Sequence, residues 1–324
     1  MSPRITEKKT AYVFDYPEAA KFAETQMDIY WLPTEIAVEK DVQDLRANMT
    51  PAEAHGVITV LKLFTLYELI VGNEYWGEKI KKAFPRPDIE FMSTTFGFVE
   101  IGIHARFYNR INEAMMLNTE EFYNSYISDP VLSERIDFVN SVADDTSNLP
   151  LAVGAFSMLE GAVLYSSFAF LKHFQSDGKN KLVNVCRGIN FSVRDENLHA
   201  TAGAWLFNTL VSEMEMLPDA RAELDAQLVA TAHRIALHED RIIDMIFEKG
   251  EIEGINADDL RMFVRSRLNA CLENLGVDKP FEIGENPIAD WFYKGINMYQ
   301  LHDFFTGVGS EYNRAGAEES DFNW

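Results

Sequence analysis

The feature that most restricts how this chain can fold is one acid in an otherwise apolar run. In LAVGAFSMLEGAVLYSSFAF, residues 151–170, Glu160 is the only charged side chain. An ionised carboxylate buried without a partner is strongly unfavourable. Glu160 therefore needs a cation, a proton or an arginine. The wider stretch from Leu149 to Phe174 has the length of a membrane span. The acid at its middle and the lack of a second candidate span argue instead for a buried core helix, with no membrane association.

Apolar residues recur at helical spacing through most of the 324 residues, with no Asn-Gly hairpins or glycine-rich phosphate loops, which predicts an all-α fold. Thr50-Pro51-Ala52-Glu53 combines an N-cap, a first-turn proline and a capping-box glutamate, and opens a helix that runs to about Lys82. Pro85 and Pro87 mark a turn before a second helix from about Asp88 to Met116. Further helices are expected over about 119–141, 151–175, 179–213, 219–249, 257–275 and 287–312. This gives one domain over 1–312 and an acidic C-terminal tail over 313–324, ending in Phe322 and Trp324, of the kind that binds a partner.

A formal charge of −22 argues against direct nucleic-acid binding, which depends on lysine and arginine neutralising phosphates. Two cysteines, Cys186 and Cys271, supply neither a disulfide framework nor a thiolate metal site, and the N-terminal residues contain no apolar leader. A cytoplasmic location is the expectation, with any metal held by oxygen and imidazole.

RDENLH sets Glu196 and His199 three residues apart, on one face of a helix. Alone, such a pair is a weak signal. The first half of the chain supplies a matching set: Glu68 within VLKLFTLYELIVG, then Glu100 and His104 within FGFVEIGIHARFYNRI. Two helices with a lone glutamate and two with a glutamate and a histidine form the bundle-core pattern of di-iron and di-manganese carboxylate sites. Four carboxylates balance two divalent cations, and oxygen with imidazole ligation favours iron or manganese over copper or structural zinc.

YWLPTEI, FTLYE, the Glu100 and His104 pair followed by ARFY, SMLEG, RDENLH and an acidic aromatic C-terminus occur in one order and at one spacing. In these motifs the chain resembles the small subunit of class I ribonucleotide reductase over nearly its whole length. The resemblance implies a ferritin-like helical bundle in which Glu68, Glu100, His104, Glu160, Glu196 and His199 bind two metal ions. It implies a stable tyrosyl radical at Tyr108, with Leu164 and Phe168 in the apolar pocket around it. Trp31 and Asp195 match residues that connect the metal site through His104 with the protein surface, and Tyr312 is a candidate for passing the radical to the partner. Asp195 also has a physical reason to be there, because a carboxylate can fix the tautomer of a metal-bound imidazole.

Two features depart from the family pattern. Glu68 stands where most members have aspartate, and Glu100 and His104 are spaced i,i+4 rather than i,i+3. A local widening of the helix near Gly102 absorbs the extra residue. Counting from His104 puts Tyr108 at the radical position, whereas counting from Glu100 puts Phe107 there. Phenylalanine at that position, with glutamate as first ligand, resembles the branch that stores its oxidising equivalent in a manganese/iron centre. The requirement that His104 and its relay keep their geometry favours Tyr108.

The activity implied is ribonucleoside-diphosphate reduction. The metals, Fe/Fe with Mn/Fe or Mn/Mn as alternatives, react with dioxygen and oxidise Tyr108, and the oxidising equivalent passes through His104, Asp195 and Trp31 to a cysteine of a separate large subunit. That subunit docks through the tail, and the small subunit is a homodimer. The rivals are a ferritin-like oxidase or hydroxylase acting on an external substrate, a metal-storage bundle, and a structural helical protein that leaves Glu160 unexplained.

Overall fold

The computed structural model describes residues 2–144, 148–176 and 178–297, and the part of the expected last helix beyond 297, Tyr312 and the tail all lie outside them. Among the described residues there is no strand, only an isolated bridge between Ile252 and Ile255. The described residues form an all-α bundle.

Helix α1 spans Pro17–Asp28 and α2 spans Pro51–Ile70. The capping box that opens α2 is formed in full, with Glu53 N donating to Thr50 Oγ1 at 3.2 Å and Thr50 N donating to Glu53 Oε2 at 2.7 Å. The helix continues through a widened π-helical stretch, Val71–Ile80, into α3, Lys81–Ala83. Next come α4, Pro87–Phe98, a second π-helical stretch, Val99–His104, and α5, Ala105–Ala114. The widening expected near Gly102 is therefore present. Gly72 lets the two widened stretches meet, since a Cβ there would stand 2.7 Å from Ile101 Cγ1 and 2.9 Å from Glu100 Cβ.

The expected helix over 119–141 is two helices, α6, Glu120–Ser128, and α7, Pro130–Asp144. Asp129 divides them: its Oδ1 accepts from Val131 N at 2.9 Å and Leu132 N at 3.2 Å, and Pro130 cannot donate into the preceding turn. The expected helix over 151–175 is likewise two, α8, Leu149–Ala162, and α9, Tyr165–Lys172. At this break two arginines, the first of them buried, take up freed carbonyls: Arg135 Nη2 donates to Val163 O at 2.9 Å and Arg267 Nε donates to Gly161 O at 3.0 Å.

Helix α10, Val183–Met214, starts later than the sequence suggests, because carboxylates from distant segments cap it. Leu182 N donates to Asp44 Oδ2 at 2.9 Å and Val185 N to Asp41 Oδ2 at 2.7 Å, placing two acids at the positive end of the helix dipole. Helices α11, Pro218–Ile246, α12, Ala257–Asn274, and α13, Pro287–Asn297, complete the described chain. Helix α1 was not anticipated from sequence.

Among the described residues two helical stretches, not one, are long and apolar enough to cross a membrane: Pro51–Ala83 joins Leu149–Gln175. The expectation of a single candidate is corrected. Within the bundle 59% and 83% of their most apolar windows are buried, as core helices are.

Candidate metal centre

Six side chains from four segments meet in the core. Helix α2 brings Glu68, the second widened stretch brings Glu100 and His104, α8 brings Glu160, and α10 brings Glu196 and His199. All six are buried. In a π-helical turn, with i→i+5 hydrogen bonds, four residues make almost one full turn, so Glu100 and His104 share a face despite their i,i+4 spacing.

The donor atoms fall into two sets, each with its atoms within 4.8 Å of one another: Glu68, Glu100, His104 and Glu196, and Glu100, Glu160, Glu196 and His199. Glu100 and Glu196 belong to both, as two bridging carboxylates would. His104 Nδ1 lies 2.9 Å from Glu100 Oε2 and 3.2 Å from Glu196 Oε1, while His199 Nδ1 lies 2.5 Å from Glu100 Oε1.

This donor set fits a pair of cations. Both oxygens of Glu68 and Glu160 Oε2 are buried without a hydrogen-bond partner. Burial pushes the carboxyls of Glu68, Glu160 and Glu196 upward, and the charges of neighbouring glutamates add to the effect. Burial pushes Glu100 upward too, but His104 and His199 outweigh it and hold this carboxyl low. Two divalent cations would neutralise four carboxylates, and oxygen with imidazole is the donor chemistry of iron and manganese.

Surrounding groups orient the cluster. Trp76 Nε1 donates to Glu160 Oε1 at 2.6 Å, and His199 Nε2 lies 3.1 Å from Gln26 Oε1. His104 Nε2 lies 3.1 Å from Asp195 Oδ2, the same oxygen that accepts from Trp31 Nε1 at 2.8 Å. His104, Asp195 and Trp31 thus form one continuous hydrogen-bonded chain, in which Trp31 is itself buried. A metal-bound imidazole held by a carboxylate in this way has a fixed tautomer. Sequence reasoning missed Gln26 and Trp76: the first is on the unanticipated α1, and nothing local in sequence marks either.

Tyr108 and Phe107 are both fully buried but point to different neighbours. The Tyr108 ring stacks on Phe64 at 4.4 Å, and its hydroxyl lies by Ser192 and feels the charge of Glu68. Burial, then that charge, pushes its phenol well above the usual range. Phe107 packs edge-on against Trp31 at 5.4 Å. Phe168 reaches Tyr108 through Phe64, on which it stacks at 5.4 Å, and Leu164 is buried at the α8–α9 break.

By fold and donor set, the molecule belongs to the ferritin-like helical proteins whose core carboxylates and histidines can hold a dinuclear metal site. The ribonucleotide reductase small-chain pattern matches residues 8–287. The chain belongs to that family. The ribonucleoside-diphosphate reductase subunit beta of Chlamydia pneumoniae is 24% identical over 302 residues, covering 88% of this chain and 84% of its own. Among solved structures, the dimanganese(II) NrdF protein of Streptococcus sanguinis superposes with a TM-score of 0.74 at 22% identity, over 90% of this chain and 99% of that one. The ribonucleotide reductase R2 subunit of Clostridium botulinum superposes with a TM-score of 0.76 at 19% identity, over 91% and 95%. By family the chain is thus a ribonucleotide reductase small subunit, an oxidoreductase component. The rival reading as an oxidase or hydroxylase of an external substrate is not favoured.

Proposed function

We propose that this subunit generates a radical at Tyr108 and delivers its oxidising equivalent to a separate large subunit, which reduces ribonucleotides. The observation that carries the reading is the Tyr108 hydroxyl, fully buried, under the influence of Glu68 and without a well-formed hydrogen bond. Glu68, Glu100, His104, Glu160, Glu196 and His199 would hold the metals, Fe/Fe in first preference and Mn/Fe or Mn/Mn as alternatives. Two bound ions would supply one-electron oxidising power by reacting with dioxygen.

The residues of the chain then do the rest. Tyr108 gives up an electron and its phenolic proton, and Phe64 and Phe168 keep water from its ring. Asp195 holds His104 and Trp31 on one oxygen, which gives electron transfer a continuous bonded route between them. Orientation supports counting the radical position from His104: Tyr108 is the ring near Glu68, whereas Phe107 faces Trp31. The tail over 313–324 would dock the large subunit, with Tyr312 at the crossing, and the small subunit would act as a cytoplasmic homodimer.

The test is low-temperature electron paramagnetic resonance with metal analysis, after the apoprotein receives Fe(II), or Mn(II) with Fe(II), in the presence of dioxygen. A tyrosyl doublet that vanishes in Tyr108→Phe supports the reading. A mixed-metal signal that Tyr108→Phe leaves unchanged moves the assignment to the Phe107 register. Failure to bind two metals overturns it altogether.

A further inference from the structure

Away from the candidate metal ligands, the bundle buries a second polar cluster. Arg135 of α7 is 2% exposed and lies 3.3 Å from Glu239 Oε1 of α11, and Ser166 Oγ donates to Glu239 Oε2 at 2.6 Å. Arg135 Nε and Nη1, the Tyr67 hydroxyl and the Tyr126 hydroxyl are all buried without a hydrogen-bond partner. The Arg135 guanidinium stands 5.6 Å from the centre of the Tyr67 ring. Buried donors of this kind are satisfied in folded proteins, by protein groups or by internal water.

The cluster has an inner and an outer end. At the inner end, the Tyr67 hydroxyl feels the charges of both Glu160 and Arg135. At the outer end, His238 stacks on Phe138 of α7 at 5.0 Å and is 8% exposed, just before Glu239 on α11.

Resting on the radical-generating reading, we propose that Arg135, Glu239 and Tyr67 enclose a chain of internal water molecules that carries protons between the α7–α11 side of the bundle and the metal-ligand cluster, with Glu239 as the exchanging group. Dioxygen becomes water only when protons arrive along with electrons, and the apolar side chains of the core cannot carry them. Glu239 takes a proton from the outer water and gives it to the inner one, ending each cycle as it began, while Tyr67 keeps its own proton and only orders the water. Burial pushes the Glu239 carboxyl up to about 7, against the pull of Arg135 and Ser166, so it can load and release at neutral pH. The charged and titratable groups acting on it are Arg135 from α7, Tyr126 from α6 and Asp240 from its own helix.

The test compares the full chain with Glu239→Gln. A crystal structure of the apoprotein is expected to show ordered water between Arg135 Nη1 and the Tyr67 hydroxyl. Carbon-13 resonance of labelled glutamate is expected to show a carboxyl that titrates near 7 and is missing from the variant. With Fe(II) and dioxygen, the radical is expected to appear about 100-fold more slowly in Glu239→Gln. Its pH dependence near neutrality should be lost, with metal stoichiometry and final yield unchanged, and Glu239→Asp should recover part of the rate. Direct pairing of these donors with protein groups, or an unchanged rate and pH profile in Glu239→Gln, overturns the proposal. A parent chain that binds two metals and forms no radical overturns the radical reading instead, and the rate of metal oxidation, followed by absorbance, then carries the same comparison.

Discussion

Trp76 Nε1 donates a 2.6 Å hydrogen bond to Glu160 Oε1, tying the lone glutamate of α8 to the widened stretch that follows α2. The other carboxylate oxygen, Oε2, is left turned to the cluster with no partner. Trp76→Phe keeps the apolar body and removes this bond. The expected result is roughly 10–100-fold weaker binding of metal at the Glu160 side, measured by competition with a chromophoric chelator. Unchanged affinity would show that packing alone orients Glu160.

Metal removal should cost stability, because Glu68, Glu160 and Glu196 are buried close together, each with its carboxyl pushed upward. At free metal 100-fold above the dissociation constant, each occupied site adds about 2.7 kcal/mol. Calorimetry of the apoprotein and the loaded protein should therefore show a clearly higher Tm with metal. Equal values would mean that the unfolded chain binds metal as well as the folded one.

Lys172 gives the molecule a second pH dependence. Its Nζ donates to Phe292 O at 2.7 Å and sits 4.1 Å over the Phe292 ring, and burial lowers its ammonium from 10.5 to about 7. The unfolded chain then binds this proton more tightly than the folded one. The contribution to stability is present above about 10.5 and is lost as pH falls through 7. The unfolding free energy of Lys172→Met relative to the parent, from denaturant curves, should rise as pH is lowered from about 9.5 towards 7, by up to about 1.4 kcal/mol per pH unit. A constant difference across that range would refute the assignment. Glu239 has the opposite sign, its contribution being lost as pH rises from 4.5 through about 7.

Gly188 is where α10 makes room for an aromatic ring, since a Cβ there would stand 2.1 Å from Phe107 Cζ. That ring is held edge-on against Trp31. Gly188→Ala should destabilise the chain by about 1–3 kcal/mol through overpacking. Adding Phe107→Leu should recover part of the loss in chemical denaturation, whereas an additive double variant would place the strain elsewhere.

The legible parts of the fold are those that the chain specifies locally. The capping box at Thr50 and Glu53 lies within four residues, so the start of α2 can be read directly. The break after α8 cannot, because its carbonyls are satisfied by Arg135 and Arg267, which come from other helices. The start of α10 likewise depends on Asp41 and Asp44, about 140 residues earlier in the chain. Helix α1 buries Ala19, Ala20, Phe22, Ala23 and Gln26, a face with only one large apolar side chain. At the candidate site, the meeting of the six acids and imidazoles could be inferred because charge in an apolar helix demands compensation. Gln26, Trp76 and Ser192 could not, since only tertiary packing brings them near.

Glu100 and Glu196, shared by the two donor sets, come from opposite halves of the chain. Neither set can therefore be assembled from one half alone. During synthesis the ribosome has to release the chain past Glu196 before the full complement of the first set exists, and past His199 before that of the second. Metal capture in a growing chain thus records that the two halves have docked, and an abandoned N-terminal fragment carries no complete centre with which to start oxidative chemistry.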